Sequence, residues 1–357
     1  MSSKRLVLTL ILGLGLAAAT LAILEGVPSV QAAGPWYVSL TGDNSDCLSW
    51  ATACTTIDGA YNKASSGDTI NVAAGTYVEN LYIGKDITLL GAGAGSTTVD
   101  GGGIDSTIRV YRYTSVTVSG MTIRNGNGTL NTGGGIFAER DTTVQVSNVT
   151  IFDNRAAVYG GGMYLALNSV VTVTNSSVIS NTAGSDGGGI YGDDPNGTLA
   201  IISSTVTENA AGAAGGGIYQ NSGTLTIDAS DIISNTSETT GGGVFKSSGT
   251  MSIRKSVIAE NAAVDSGGGI STMGTSCMVS IDDSTIRDNQ VSGASSQGGG
   301  ILNDTGMAME LSNVTVSGNT STQYGGGIHN QRTLTMTNVT VSGNTSPNGG
   351  GIFHTNT

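Results

Sequence analysis

Nine times between Gly133 and Ile352 the chain writes three glycines followed by an apolar residue. The copies run Gly133–Ile136, Gly160–Met163, Gly187–Ile190, Gly215–Ile218, Gly241–Val244, Gly267–Ile270, Gly298–Ile301, Gly325–Ile328 and Gly349–Ile352. Their first glycines lie 27, 27, 28, 26, 26, 31, 27 and 24 residues apart. A fixed period of this size marks a solenoid, in which each repeat is one layer that cannot bury its own apolar face. So many glycines, 56 in 357 residues, could also suggest disorder, but 38% of the chain is hydrophobic and its apolar residues recur on schedule. Ordered β structure with many turns follows.

Between the glycine runs lies a second pattern. Apolar or small residues stand at relative positions 0, 2, 5 and 7, with an asparagine at 10. One repeat reads Leu225, Ile227, Ser230, Ile232, Asn235, and others read Val144, Val146, Val149, Ile151, Asn154 and Met309, Leu311, Val314, Val316, Asn319. Steps of two mean strand, because alternate side chains leave the same face. The step of three between positions 2 and 5 marks a corner turned without leaving the interior. The glycines and their apolar follower begin a third strand. Three strands per layer of about 27 residues predict an all-β, right-handed parallel β-helix. A left-handed β-helix needs hexapeptide periodicity and a leucine-rich repeat needs a helical half, and neither is written here. The asparagines Asn154, Asn181, Asn209, Asn235, Asn261, Asn289, Asn319 and Asn344 should share one corner. There they would supply left-handed backbone and bond to one another along the axis. The glycines would serve positive φ and close approach at the opposite corner.

The two ends read differently. Lys4 and Arg5 precede an uncharged apolar run, Leu6 to Leu24, and Val30-Gln31-Ala32 offers a cleavage site. Residues 1–32 are therefore read as a signal peptide or a retained N-terminal anchor, with export in either case. Residues 33–64 are a cap, including a short amphipathic helix over Thr55–Ala64, because a solenoid must cover its open ends. The β-helix itself occupies 65–357, and Thr357 arrives with no matching cap, which leaves room for a partner at that end. Cys47 and Cys54 flank a six-residue loop in an exported chain and are expected to form a disulfide, while Cys277 stays a buried free thiol. A net charge of −12 and no basic cluster longer than Arg254-Lys255 argue against a nucleic-acid partner. Two histidines without Cys-His spacing argue against a zinc site.

The paired signatures, Gly-Gly-Gly-Ile and apolar-x-x-Asn, resemble the repeats of polymorphic outer-membrane proteins. The stretch Gly67 to Gly91, with Gly-Asp-Thr-Ile, Gly-Thr-Tyr and Ile-Thr-Leu-x-Gly, looks like the opening coil of pectin-lyase-like proteins. The first resemblance implies a surface-exposed passenger that adheres to cells or matrix. It departs from that family in having Val or Ile in place of Phe, and no C-terminal membrane barrel follows. The second implies a fold shared by polysaccharide lyases, hydrolases and esterases, so fold does not decide activity.

Residue by residue, an enzyme has little to stand on. The Gly-His-Gly of galacturonases is missing, and Asp193-Asp194 reads as a solvated turn. The best catalytic constellation is a lyase-like one, Arg254, Lys255 and Arg287 near Asp282 and Asp283, which would call for calcium. Otherwise no cofactor or metal is expected. The binding reading rests on the residue after each Gly-Gly-Gly-apolar unit: Phe137, Tyr164, Tyr191, Tyr219 and Phe245. If the apolar residue points inward, these point outward as a stripe on which sugar rings or apolar partners can stack. The same rings could instead shield the strand edge by stacking on one another. The expectation is a secreted or cell-surface binding and adhesion protein without catalysis, its ligand a polysaccharide or surface protein. A pectate-lyase-like enzyme is the alternative and a structural surface layer the third.

Overall fold

The computed structural model describes residues 34–129, 133–274, 276–305 and 308–355. They wind into a right-handed parallel β-helix in which each strand pairs in parallel with its equivalent one coil away. The N-terminal segment read as a signal or anchor lies outside the described residues, and among those described no helix is long and apolar enough to cross a membrane.

Three long sheets carry the solenoid. The first has twelve strands, from Trp36–Val38 to Leu334–Thr337, and so begins inside the stretch read as a cap, with Val38 beside Val72. The second and third have eleven each, running from Gly75–Val78 to Thr340–Ser342 and from Leu81–Ile83 to Ile352–His354. To the expected three strands per coil the structure adds a fourth ladder of eight two-residue strands, Asn127–Gly128 to Thr320–Ser321, directly after the asparagine corner. Two residues are too few to write an alternation, which is why periodicity does not reveal it.

Residues at positions 0, 2 and 7 fill the interior: Leu225, Ile227 and Ile232 are fully buried, as are Val144, Ile151, Ile253 and Ile281. In the last coil Leu334, Met336, Val339 and Val341 are only partly covered or exposed. Position 5 is more than small filler. Ser176, Ser204, Ser230, Ser256 and Ser284 are buried, and each Oγ donates to the carbonyl two residues before it at 2.6–2.7 Å. The same Oγ accepts the amide of the preceding coil at that position, as Ser204 N does with Ser230 Oγ at 3.0 Å. One hydroxyl thus settles two backbone groups that the corner takes out of the ladders.

The asparagine corner is a continuous buried chain of amides. Asn235 Oδ1 accepts from both Asn209 N (3.0 Å) and Asn209 Nδ2 (2.9 Å), and the pattern repeats from Asn154 to Asn344. The expectation that these asparagines take left-handed backbone is corrected. The residue before each does so: Asp153, Ser180, Glu208, Ser234, Glu260 and Asp288 have φ of 52–58°. The turn needs its left-handed residue outside in water and its amide inside. The glycine runs are corrected as well, since they lean on this ladder and not on an opposite corner. Gly215 has φ of 67°, and a Cβ on Gly217 would sit 3.0 Å from the Asn235 amide.

The cap is a helix of about two turns, Ile57–Lys63. Thr56 caps it by accepting the Gly59 amide at 3.1 Å, and the Glu79 carboxylate receives the Ile57 and Asp58 amides at 2.8 and 2.9 Å. Burial pushes the Glu79 carboxyl up, with those amide bonds opposing. Ile57 and Tyr61 lie over Leu81, Ile83, Ile87 and Leu89, which covers the open start of the core. Cys47 and Cys54 are joined by a disulfide beside this helix, and Cys277 is free and buried.

One interior column of the third sheet turns polar, with Gln220, Lys246, Thr272 and Asn303 in successive coils. Lys246 is fully buried, and its Nζ donates to the Ser222 and Gly223 carbonyls at 2.7 and 3.0 Å. Burial pulls the Lys246 amine down to about 8 and pushes the Cys277 thiol up to about 11. An amine that binds its proton less tightly when folded costs stability below about pH 8, and that cost fades as pH rises. Unfolding free energy should therefore climb between about pH 8 and about pH 9, above which the thiol opposes it, and Lys246→Met should remove the climb. For the ladder, Asn235→Ala should cost about 3 kcal/mol or more in denaturant titrations, because it strips two buried donors of Asn209. Thr224→Ala on the exposed face of the same coil should cost about 0.5 kcal/mol or less.

Candidate functional site

Strand alternation turns the residue after each buried Ile, Met or Val of the third sheet outward, and parallel register stacks those residues in one column. Phe137, Tyr164, Tyr191, Tyr219 and Phe245 are direct neighbours in that register. Their ring centroids lie 5.3, 5.2, 5.0 and 4.8 Å apart, and Tyr164 and Tyr191 are nearly parallel at 5°. Tyr159 from the preceding loop lies over the column, 4.5 Å from Tyr191. The rings cover one another so fully that Tyr191 keeps 6% of its surface. The stripe points outward as expected and yet is closed, so these five rings form a packed column and not an open stacking platform. Burial first, then the Asp193 carboxylate, pushes the Tyr164 phenol up to about 12 and Tyr191 further still. Tyr219 also rises to about 12, from burial and then Asp186.

At the head of the column lies a cleft of about 350 Å³. Phe137 and Tyr164 form its base, Leu167 and Ala166 one wall, and Arg109, Arg112, Arg140, Glu139 and Asp193 its rim. Arg109 is immobilised: Nε and Nη2 both donate to Glu139 Oε1 (2.8 and 2.6 Å), and the guanidinium lies 5.0 Å from the Phe137 ring and 5.4 Å from that of Tyr111. Arg112 and Arg140 are exposed and make no ion pair among the described residues. Tyr111 and Tyr113 stand exposed beside them. Two free guanidiniums and an aromatic base in one concavity suit a polar ring carrying a negative group. None of these cleft residues except Phe137, Tyr164 and Asp193 stands out in the sequence, and Arg140 is brought to Arg109 and Arg112 only by one turn of the coil.

Of the lyase-like residues, Arg254 stands in register with Asp282 on the next coil and the Lys255 amide donates to the Asp282 carbonyl at 3.1 Å, while Arg287 stands apart at the asparagine corner. Arg254 reaches Asp228 at 3.4 Å, and Arg287 reaches Asp288 at 2.8 Å and Glu260 at 3.4 Å. Asp282 takes the Ser280 hydroxyl at 2.8 Å, Asp283 accepts from Asn313, and Lys255 occupies the left-handed corner position at φ 48°. None of the five lines the arginine cleft. Asp193-Asp194 is no solvated turn: Asp194 is buried and Asp193 joins the cleft. A second cleft of about 620 Å³ lies at the start of the short fourth ladder, lined by Gly103, Asn125, Gly126, Asn127, Asp153 and Arg155. It has no aromatic surface, and Asn125 and Asn127 are tied to Asp100 and the Gly103 carbonyl. Among the described residues no group of acidic, histidine or cysteine side chains is arranged to hold a metal.

This is a solenoid of the right-handed parallel β-helix class. The chain belongs to the right handed beta helix region family, which matches residues 44–232. A Chlamydia polymorphic membrane protein repeat matches residues 313–331, the span that holds Asn319 and the Gly325–Ile328 unit. No curated protein sequence matches significantly. Among solved structures it is similar to a rhamnogalacturonan lyase, 12% identical, with a TM-score of 0.51 over 79% of this chain and 87% of that one. A GH136 lacto-N-biosidase from Eubacterium ramulus is 11% identical with a TM-score of 0.43, over 90% of this chain and 68% of that one. The surface adhesin PfbA of Streptococcus pneumoniae is 12% identical with a TM-score of 0.37, over 84% and 88%. At such identities the likeness is one of fold alone.

Tyr191→Ala, at the centre of the stack, should destabilise by about 3 kcal/mol and raise proteolytic nicking of the neighbouring coils. A stability loss near that of an exposed substitution would mean that the rings do not support one another.

Proposed function

We propose that this chain is an exported binding protein, secreted or displayed at the cell surface, whose ligand is a glycan carrying acidic groups. The observation that carries the reading is the pair of unpartnered guanidiniums, Arg112 and Arg140, at the mouth of an aromatic-floored cleft in a chain of net charge −12. An acidic protein repels an acidic polymer everywhere except where cations are concentrated, so the cleft sets both the place and the charge sign of the ligand. Arg109, fixed by Glu139, positions the base, while Arg112 and Arg140 are free to form bidentate bonds to a carboxylate or sulfate. Sugar C–H faces would lie against Phe137 and Tyr164. Export is supported by the N-terminal sequence, the Cys47–Cys54 bond and the match to a polymorphic membrane protein repeat.

Glu139 and Asp193 share the cleft, so the test reads turnover as well as binding. On arrays of acidic and neutral glycans, the 33–357 chain should retain acidic ones. Arg112→Ala combined with Arg140→Ala should weaken retention about tenfold or more without changing the melting temperature, and rising salt should do the same. Equal binding of neutral glycans, or retention untouched by the double substitution, would refute the cleft. Release of new reducing or unsaturated ends, lost on Asp193→Asn, would make the protein an enzyme.

A further inference from the structure

His329 continues the outward column of the third sheet, in register with Leu302 on one side and Phe353 on the other. It is 2% exposed, and neither ring nitrogen has a hydrogen-bond partner among the described residues. Its ring centre lies 5.3 Å from Phe353 and 6.0 Å from Tyr324, which are themselves 4.7 Å apart. The imidazole therefore fills a slot in a three-ring cluster as if it were a benzene ring. Shape does not demand histidine, because Phe137 and Phe245 fill the same register position in other coils. Buried polar atoms without partners are uncommon enough to need a reason.

The groups around it are few. Asp304, on the strand Ile301–Thr305, is held by Arg332 at 3.2 Å. Tyr324 comes from the loop before the glycines, bridged to Asn348 of the next coil. His354, on Ile352–His354, alternates to the other side of its strand and is exposed, its Nδ1 at 3.0 Å from Asn330 Nδ2 and 3.1 Å from the Asn330 carbonyl.

We propose that His329 is an acid-responsive latch: neutral, it seals the pairing of Ile328–Asn330 with Ile352–His354, and protonated, it releases that pairing. A neutral imidazole already leaves one donor and one acceptor unmet in the slot; an imidazolium has two donors, in a place where neither ring nitrogen has a partner among the described residues. Hydrating it requires Tyr324 and Phe353 to part, and Phe353 is carried by the strand Ile352–His354. Burial holds the His329 ring below its ordinary value, with Asp304 opposing. A group that binds its proton less tightly when folded leaves stability intact above the ordinary histidine range and removes it as pH falls through and below that range. The latch is closed at neutral pH and loosens in acid, at one end of the solenoid only.

The test is amide hydrogen exchange on the full chain, corrected for intrinsic rates, at about pH 7.5 and about pH 5. Opening of Ile328–Asn330 and Ile352–His354 should become severalfold more frequent in acid, while Ile218–Gln220 stays unchanged. His329→Phe should abolish the difference and His354→Asn should keep it. A difference that survives His329→Phe, or disappears with His354→Asn, would overturn the proposal. So would ring-proton titration of the unaltered protein in which both histidines titrate at the ordinary value.

Discussion

A buried amide that can be satisfied only by the coil above and the coil below is what the rest of this solenoid is built around. Each ladder asparagine turns its oxygen to two donors of the preceding coil, and its own donors to the next asparagine and to backbone carbonyls. In an interior from which water is excluded, no coil can shift by one residue without orphaning several such groups at once. That sets the register for all four ladders. It also explains the glycines, because the flank of the amide column leaves no room for a Cβ on the backbone that runs beside it.

Length variation has to avoid this column, and it does. From asparagine to first glycine the count is six in most coils, and the coil with the longest spacing takes three extra residues between Asn289 and Gly298, around Gly293. The serine column works in the same way at the neighbouring corner, where one hydroxyl answers two backbone groups. Corners of a β-helix remove backbone from the sheets, and side chains must replace what the ladders supplied. Lys246 is the exception that reaches across coils to two carbonyls, at the cost of a buried charge.

The outward faces are less constrained, and chemistry collects there. The aromatic column closes on itself because parallel strands set equal side chains about 4.8 Å apart, close to the distance at which rings stack. Where the column begins, arginines from two successive coils line a cleft. After Phe245 the column passes through Ser271 and Leu302, and beyond them His329 and Phe353 belong to a separate ring cluster.

Much of this was legible in the chain as written. Steps of two and three placed Leu225, Ile227, Ser230 and Ile232 inside, Asn235 at a corner and Tyr219 outside, since each follows from local backbone geometry repeated without change. The fourth ladder escaped because two residues carry no period. The left-handed residues escaped because Asp, Ser and Glu share that position and only the backbone reveals it. Arg112, Arg140 and Asp193 could not be grouped from sequence, since what joins them is the winding of the coil and the direction in which each coil's loops leave it. The sequence by itself determined the layer, its period and which side chains are inside, because those depend on neighbours along the chain. Only the tertiary structure decided which outward residues cover each other and which meet in a cleft, because that depends on neighbours from other coils.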